Sequence, residues 1–254
     1  MITQNSLLNL WFDKMGWIKN PFPITLKNGL KFYLRPRGNS LVSDQDILKE
    51  VIFEDCYQIL EAIQPHFTIV DIGAHIGLFS CSAAKQASQG RVLAFEPFPE
   101  NHQNLCKNIT LNHLLHVQAI NKAVCDPKPS RSLYIDPSNT GAHSIFKSHE
   151  QNLCIPSQTI SLTEIFDTYH LDTIDILKLD CEGAEYEILL NTPVATLQKI
   201  KTIVMEQHIT ESTQKLYSAD ALIDLLTLIG FDVQILKTIS YPDEGVFYLI
   251  KATI

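Results

Sequence analysis

A doubly wound α/β domain, with a mostly parallel seven-stranded sheet covered by helices on both faces, is the fold class this sequence predicts. Three observations carry the prediction. From residue 67 onward, short apolar runs alternate with helical patterns, the rhythm of a parallel sheet whose crossover helices lie on its faces. The first of these runs passes through a glycine turn, "VDIGAHIG", directly into a helix. The chain closes on "FDVQILK" and "GVFYLIKATI" with no helix between them, so this last pair must run antiparallel or sit apart in the sheet.

The elements follow in order. Residues 1–65 are expected to form an extension that helps cover a cofactor or substrate, and residues 66–254 the main domain. In the extension, "ITLKNGLKFYLRP" alternates about Asn28-Gly29, a hairpin signal. "SDQDILKEVIFEDCYQILEAI" carries a helical period, with Ser43 or Asp44 as N-cap. "FTIVDIG", "RVLAFEP" and "HVQAINKAV" then read as strands, separated by the helices "GLFSCSAAKQAS" and "PENHQNLCKNITLN". Residues 126–160 turn irregular. "TIDILKL" restores the rhythm, followed by the helix "GAEYEILLN", the strand "IKTIVMEQH" and the helix "SADALIDLLTLIG".

Composition narrows the function classes. A net charge of −8 over 254 residues argues against a surface that tracks phosphates, so no nucleic-acid partner is expected. No run approaches the roughly 18 apolar residues of a membrane span, and the first twenty residues lack the basic start of a signal peptide. The six cysteines are widely spaced and read as free thiols in a reducing, cytoplasmic setting. The lone sequon at Asn108 is then expected to be chance.

In such a sheet, ligands bind beyond the carboxyl ends of the strands. The loop offers Asp71, Gly73, His75 and Gly77, with two glycines where the dinucleotide fingerprint has three. That departure counts against a nucleotide-dependent oxidoreductase. An acid just before the loop disfavours a pyrophosphate and suits a cationic ligand. Glu96 ends the second strand, where a carboxylate can accept both hydroxyls of a ribose. Acid, glycine turn and ribose carboxylate together look like the S-adenosylmethionine site of a Rossmann-like methyltransferase.

With "VDIGAHIGLFS", "RVLAFEPFPEN", "NKAVCD", "TISLTEIF" and "LKLDCEGAEYEIL" occurring in that order, the sequence resembles the FkbM family of S-adenosylmethionine-dependent methyltransferases over roughly residues 25 to 210. The resemblance implies a class I methyltransferase fold. It places Asp71, Gly73, His75 and Gly77 at the methionine end, with Asp71 near the amino group. It sets Glu96 on the ribose, Phe98 on the adenine face, and Asn121 and Lys122 at the adenine edge. His75 and Phe98 depart from the residues common in the family. The resemblance also implies a small molecule, natural product or glycan as acceptor, methylated on a hydroxyl. A nitrogen or carboxyl acceptor, including a peptide, is the alternative, and a binding module without catalysis is a further rival.

Methyl transfer to a hydroxyl needs alignment and removal of a proton. The carboxyl ends of the fourth and fifth strands offer Asp180, Glu182 and His208 as catalytic candidates. His208 is chemically the most suitable base, since an unperturbed imidazole titrates near neutrality, at about 6.5. Asp180 or Glu182 can serve where burial and a like-charged neighbour raise its carboxyl. Asp180 and Glu182 show no third ligand at an obvious spacing, so no metal is expected. Glu185 and Glu187 read as helix-start acids, and His143 as a loop histidine in solvent.

Overall fold

A computed structural model of the chain describes residues 2–126, 130–146, 153–241 and 245–254. Helix α1 (Gln4–Lys14) leads into a hairpin of β1 (Phe22–Thr25) and β2 (Lys31–Leu34), in which Phe22 faces Leu34. The expected turn joins them: the Asn28 side-chain oxygen accepts from the Leu30 N–H at 3.1 Å.

The helix expected over residues 43–63 is broken. Ser43 caps α2 (Asp44–Leu48), with Asp46 accepting from the Ser43 N–H at 2.9 Å. A wide π-type turn (Lys49–Phe53) follows, and then the chain bends, with Asp55 and Gln58 at φ +41° and +49°. The Asp55 carboxylate accepts from the Ile59 and Leu60 N–H groups, a local alternative to helical bonding that an apolar period does not register. This break carries Glu50 and Tyr57 to the site described below.

The main domain runs β3 (Thr68–Ile72), α3 (Leu78–Gln86), β4 (Arg91–Phe95), α4 (Pro99–Leu111) and β5 (Val117–Ile120). There the expected third strand stops: Ala123–Val124 (β6) joins a second, three-stranded sheet with β7 (Ser130–Tyr134) and β8 (Cys154–Ile160). Part of the segment read as irregular is therefore sheet, while its residues 127–129 and 147–152 lie outside the described residues. The chain continues through α5 (Leu162–Thr168), β9 (Ile174–Leu179), α6 (Ala184–Leu190), α7 (Val194–Leu197), β10 (Ile200–Ile209), α8 (Glu211–Gln214), α9 (Ala221–Leu228), β11 (Asp232–Tyr241) and β12 (Gly245–Thr253).

The seven-stranded sheet has the order β11-β12-β10-β9-β3-β4-β5. Its last strand inserts between β10 and β11, antiparallel to both, while β10, β9, β3, β4 and β5 pair parallel in turn. Strand order reverses between β3 and β9, which opens a crevice at their carboxyl ends.

Alternation along β3 and β4 feeds two cores. Val70, Ile72, Leu93 and Phe95 face one, with Leu177 and Leu179 of β9. Ile69 and Val92 face the other, which they share with Phe22, Ile24, Phe32, Leu34 and Leu48 of the extension. Helix α4 also straps the hairpin: Asn108 and Asn112 accept from the Tyr33 and Lys31 N–H groups at 2.8 Å each. The sequon asparagine is thus a fully buried structural residue. All six cysteines are free thiols, and among the described residues no helix is long and apolar enough to cross a membrane.

Candidate active site

The glycine turn is built around one close approach. Gly73 has φ +80°, and a Cβ there would lie 1.7 Å from the Asp180 carbonyl oxygen, so only glycine lets the ends of β3 and β9 meet. Beyond it, the His75 N–H donates to Glu96 Oε2 at 2.7 Å and the Phe98 N–H to Glu96 Oε1 at 2.8 Å. Each oxygen of this buried carboxylate keeps a second lone-pair direction for a ligand hydroxyl. Burial pushes the Glu96 carboxyl up to about 7.

His75 ties the loop to the extension. Its backbone is left-handed (φ +51°), and Nε2 accepts from Arg35 Nη2 at 2.8 Å. Arg35 grips buried Asp44 through Nε and Nη2, and donates to Asn101 from Nη1. Burial lowers the His75 imidazole to about 4, so Nδ1 carries the proton, and it has no partner among the described residues. His143 behaves in the same way and not as a solvent histidine. Its Nδ1 accepts from the Asp136 N–H at 3.1 Å and its ring lies 4.2 Å from that of Phe98. Burial lowers it to about 4, and its buried Nε2 is unpartnered among the described residues. Two neutral imidazoles therefore offer N–H donors at the pocket wall.

Beneath the loop lies a charge network that sequence reasoning missed. Lys178 sits in the middle of β9 with all its neighbours buried. Its ammonium is 3.1 Å from Asp71 Oδ1, donates to the Gly73 carbonyl at 3.0 Å and lies 3.6 Å from Asp180 Oδ2. Burial alone would lower this amine, but Asp71 and Asp180 outweigh it and hold it raised. Asp71 also accepts from the Ser80 hydroxyl. A lysine inside an otherwise apolar strand pattern, "DILKLD", was the available signal, because a buried ammonium needs carboxylate partners.

At the turn after β9, Glu182 and Gly183 are both left-handed, at φ +57° and +99°. Non-glycine residues hold such backbone at a cost, and they cluster at functional sites. Glu182 Oε2 is 3.3 Å from His208 Nε2, while His208 Nδ1 is 3.1 Å from Glu185 Oε1. Burial would lower the imidazole, yet Glu182 and Glu185 raise it well above its ordinary value. The two flanking carboxylates favour the charged ring, which counts against His208 as the base and leaves Asp180 and Glu182. Glu185 is likewise more than a helix-start acid. It is fully buried and accepts from the Cys181 and Gly183 N–H groups. Glu187, also buried, accepts from Arg131 at 2.7 Å.

These groups converge on one pocket of about 280 Å³. Of the expected cofactor residues, Gly73, His75, Glu96 and Lys122 line it. The other four stand behind the wall. Asp71 is buried under the loop on Lys178, and Gly77 caps α3. Phe98 packs on His143, and Asn121 donates to the Glu96 and Pro97 carbonyls. Asp71 thus holds the loop from below instead of facing a ligand. Asp180, Glu182 and His208 all line the other end, joined by Glu50, Tyr57 and Glu206. Tyr57 donates to Asp180 Oδ2 at 2.8 Å. Burial pushes the Asp180 carboxyl up, but Lys178 and His208 leave it lowered overall. Burial and Asp180 push Glu206 up to about 8.

A sheet of this strand order, with a glycine turn, a strand-end carboxylate and unpartnered donors meeting in one crevice, defines an S-adenosylmethionine-dependent methyltransferase. The chain belongs to the FkbM methyltransferase family, whose Methyltransferase FkbM domain matches residues 71–233. Methyltransferase sdnD of Sordaria araneosa is 27% identical over 66% of this chain and 76% of its own length. AMB antimetabolite synthetase AmbE of Pseudomonas aeruginosa is 26% identical over 79% of this chain, which spans only 11% of that protein. Hexuronic acid methyltransferase AglP of Haloferax volcanii is 26% identical over 68% of this chain and 65% of its own length. The cofactor is S-adenosylmethionine. The structure suits it: the acidic side chains Glu50, Glu96, Asp180, Glu182 and Glu206 in the lining can meet a sulfonium cation.

Glu96 makes cofactor binding depend on pH in a stated direction. Its carboxyl is raised from 4.5 to about 7, so its contribution to folding is fully present below 4.5 and is lost as pH rises through 7. A carboxylate that accepts both ribose hydroxyls, as expected of Glu96, would make ligand affinity run the opposite way. S-adenosylhomocysteine measured by calorimetry should bind more tightly at pH 8 than at pH 6, by up to about tenfold per unit below 7. Glu96→Gln should flatten this slope. An equal slope in the variant would remove Glu96 from the ribose.

Proposed function

We propose that this enzyme transfers the methyl group of S-adenosylmethionine to a hydroxyl oxygen of a small molecule, natural product or glycan. The observation that carries the reading is the single pocket joining Gly73, His75 and Glu96 to Asp180, Glu182, Glu206 and His208. Gly73, His75 and Lys122 frame the cofactor, Glu96 takes the ribose, and His143, with Phe98 packed behind it, borders the adenine; Gly77 shapes the loop from behind. Asp71 and Asn121 brace these residues from behind.

The cofactor supplies an activated methyl group, and the chain supplies alignment and a place for the proton. The acceptor oxygen forms a bond to the methyl carbon while the carbon–sulfur bond breaks and its electron pair stays on sulfur. The hydroxyl proton passes to the carboxylates beside it, Asp180 and Glu182, whereas Glu206, raised to about 8, already holds a proton at neutral pH. His208, charged, positions Glu182. Closing this site away from water strengthens each of these electrostatic contacts. An acidic wall repels a carboxylate acceptor and would keep an amine protonated and unreactive, which favours the hydroxyl. One relative is named a hexuronic acid methyltransferase, which supports a sugar acceptor and, since that sugar carries both hydroxyl and carboxyl groups, leaves the choice between them to the acceptor panel.

The extension and the 136–146 segment close over this pocket. Leu41 N–H donates to the Ser138 carbonyl, and Val42 bridges Asn139. The test is calorimetry with S-adenosylhomocysteine, followed by transfer of labelled methyl to panels of hydroxyl, amine and carboxyl acceptors. Binding with alkali-stable ether product is expected. Binding of NAD(P) in its place would restore the oxidoreductase rival, and alkali-labile or amine-linked label would move the acceptor class.

A further inference from the structure

We infer that Asp180, Glu182 and His208 form a site for a divalent cation at the acceptor end of the pocket. The inference rests on the acceptor reading above and adds a ligand to it. One ligand atom from each residue lies within 4.8 Å of the others, the one such group among the described residues. Sequence spacing concealed the third member. Asp180 and Glu182 follow β9, whereas His208 arrives on β10, which pairs parallel to β9 through Met205 opposite Leu179.

The histidine is set up as a ligand. Buried Glu185 takes Nδ1 and is itself fixed by the Cys181 and Gly183 N–H groups. That leaves Nε2 on the Glu182 side, 3.3 Å from its carboxylate, where a bound cation takes the place of the ring proton. A carboxylate behind an imidazole is the usual support of a metal-bound histidine, fixing ring orientation and raising ligand basicity. A second observation lies on the same wall. Glu206 lines the pocket, and its carboxyl has no hydrogen-bond partner among the described residues, only charged neighbours. Half-buried among like charges, this carboxylate is favoured by a cation beside it. Glu50, Asp180, Glu182 and Glu206 all line this end beside His208, with the Lys178 ammonium 3.6 Å from Asp180 beneath it.

Two carboxylate oxygens and one imidazole nitrogen, with open positions toward the pocket, suit Mn²⁺ or a similar octahedral cation better than a closed structural zinc site. A cation there would hold the acceptor hydroxyl in line and make its proton more acidic. The oxygen–methyl bond forms, the carbon–sulfur pair stays on sulfur, and the hydroxyl proton leaves to solvent.

The test is Mn²⁺ titration of the full chain in metal-free buffer, read by the paramagnetic resonance of free Mn²⁺. One Mn²⁺ per chain is expected. Glu182→Gln and Asp180→Asn should each weaken it at least about tenfold, and Glu185→Gln by about 10–100-fold through loss of the ring's support. S-adenosylhomocysteine binding in EDTA is the separate arm that tests the methyltransferase pocket and shows each variant folded. A chain that binds the cofactor product but takes up no Mn²⁺ in the titration would overturn the cation site alone. So would Mn²⁺ affinity unchanged in variants that still bind the cofactor product. Failure to bind S-adenosylhomocysteine would instead strike the underlying reading.

Discussion

Replacing Lys178 by methionine is expected to lower the stability of the fold by about 3–5 kcal/mol, measured by denaturant unfolding. The size follows from what the ammonium leaves behind. Asp71 is fully buried with Lys178 Nζ 3.1 Å away, and Asp180 lies 3.6 Å away on the same nitrogen. Methionine fills most of the volume and supplies no charge, so two carboxylates lose their counter-ion in a low-dielectric site. The Gly73 carbonyl loses its donor as well. Adding Asp71→Asn should recover part of the loss, because removing both charges costs less than removing one. A loss below about 1 kcal/mol would place the lysine in the range of a solvent-exposed ion pair and deny it this role.

Glu182→Gln is expected to lower kcat by about 10²–10⁴-fold, the range for a positioned proton-transfer group, while the affinity for S-adenosylhomocysteine holds. Glutamine keeps the shape but cannot carry the charge. The side chain sits at the acceptor end, away from Gly73 and Glu96, and is positioned by the charged ring of His208. The same variant keeps the left-handed backbone at φ +57°, so the comparison isolates the carboxylate. Turnover within a few-fold of the parent would exclude Glu182 from the chemistry. Loss of turnover with equal loss of cofactor affinity would instead assign it to cofactor binding.

Much of the fold was legible because the main domain obeys period. The strands Thr68–Ile72, Arg91–Phe95 and Ile174–Leu179 stand where the apolar runs predicted them, and the antiparallel insertion of the last strand follows from its missing crossover helix. What was not legible came from long-range or local polar bonding. The bend at Asp55 turns on a side chain accepting from two backbone donors. The second sheet needs Ala123–Val124 to leave the strand rhythm and pair with β8. At the site, Glu96, Gly73, Asp180 and Glu182 could be placed from strand ends. The charge state of His208 could not, because Glu185 reaches it from another element. Glu206 was visible as a strand-end residue, but its isolation among like charges appears only in three dimensions.

The hairpin held by Asn108 and Asn112, sharing its core with Ile69 and Val92, has a bearing on how this unit can be moved between proteins. A transplant cut at residue 66 would separate Phe22, Ile24, Phe32 and Leu34 from the sheet face they cover, and would remove Arg35 from His75. The recombination boundary that physical chemistry allows therefore falls ahead of Phe22. Any chimera built on this chain must inherit the hairpin together with the cofactor loop, even though 45 residues of sequence separate Phe22 from Phe67.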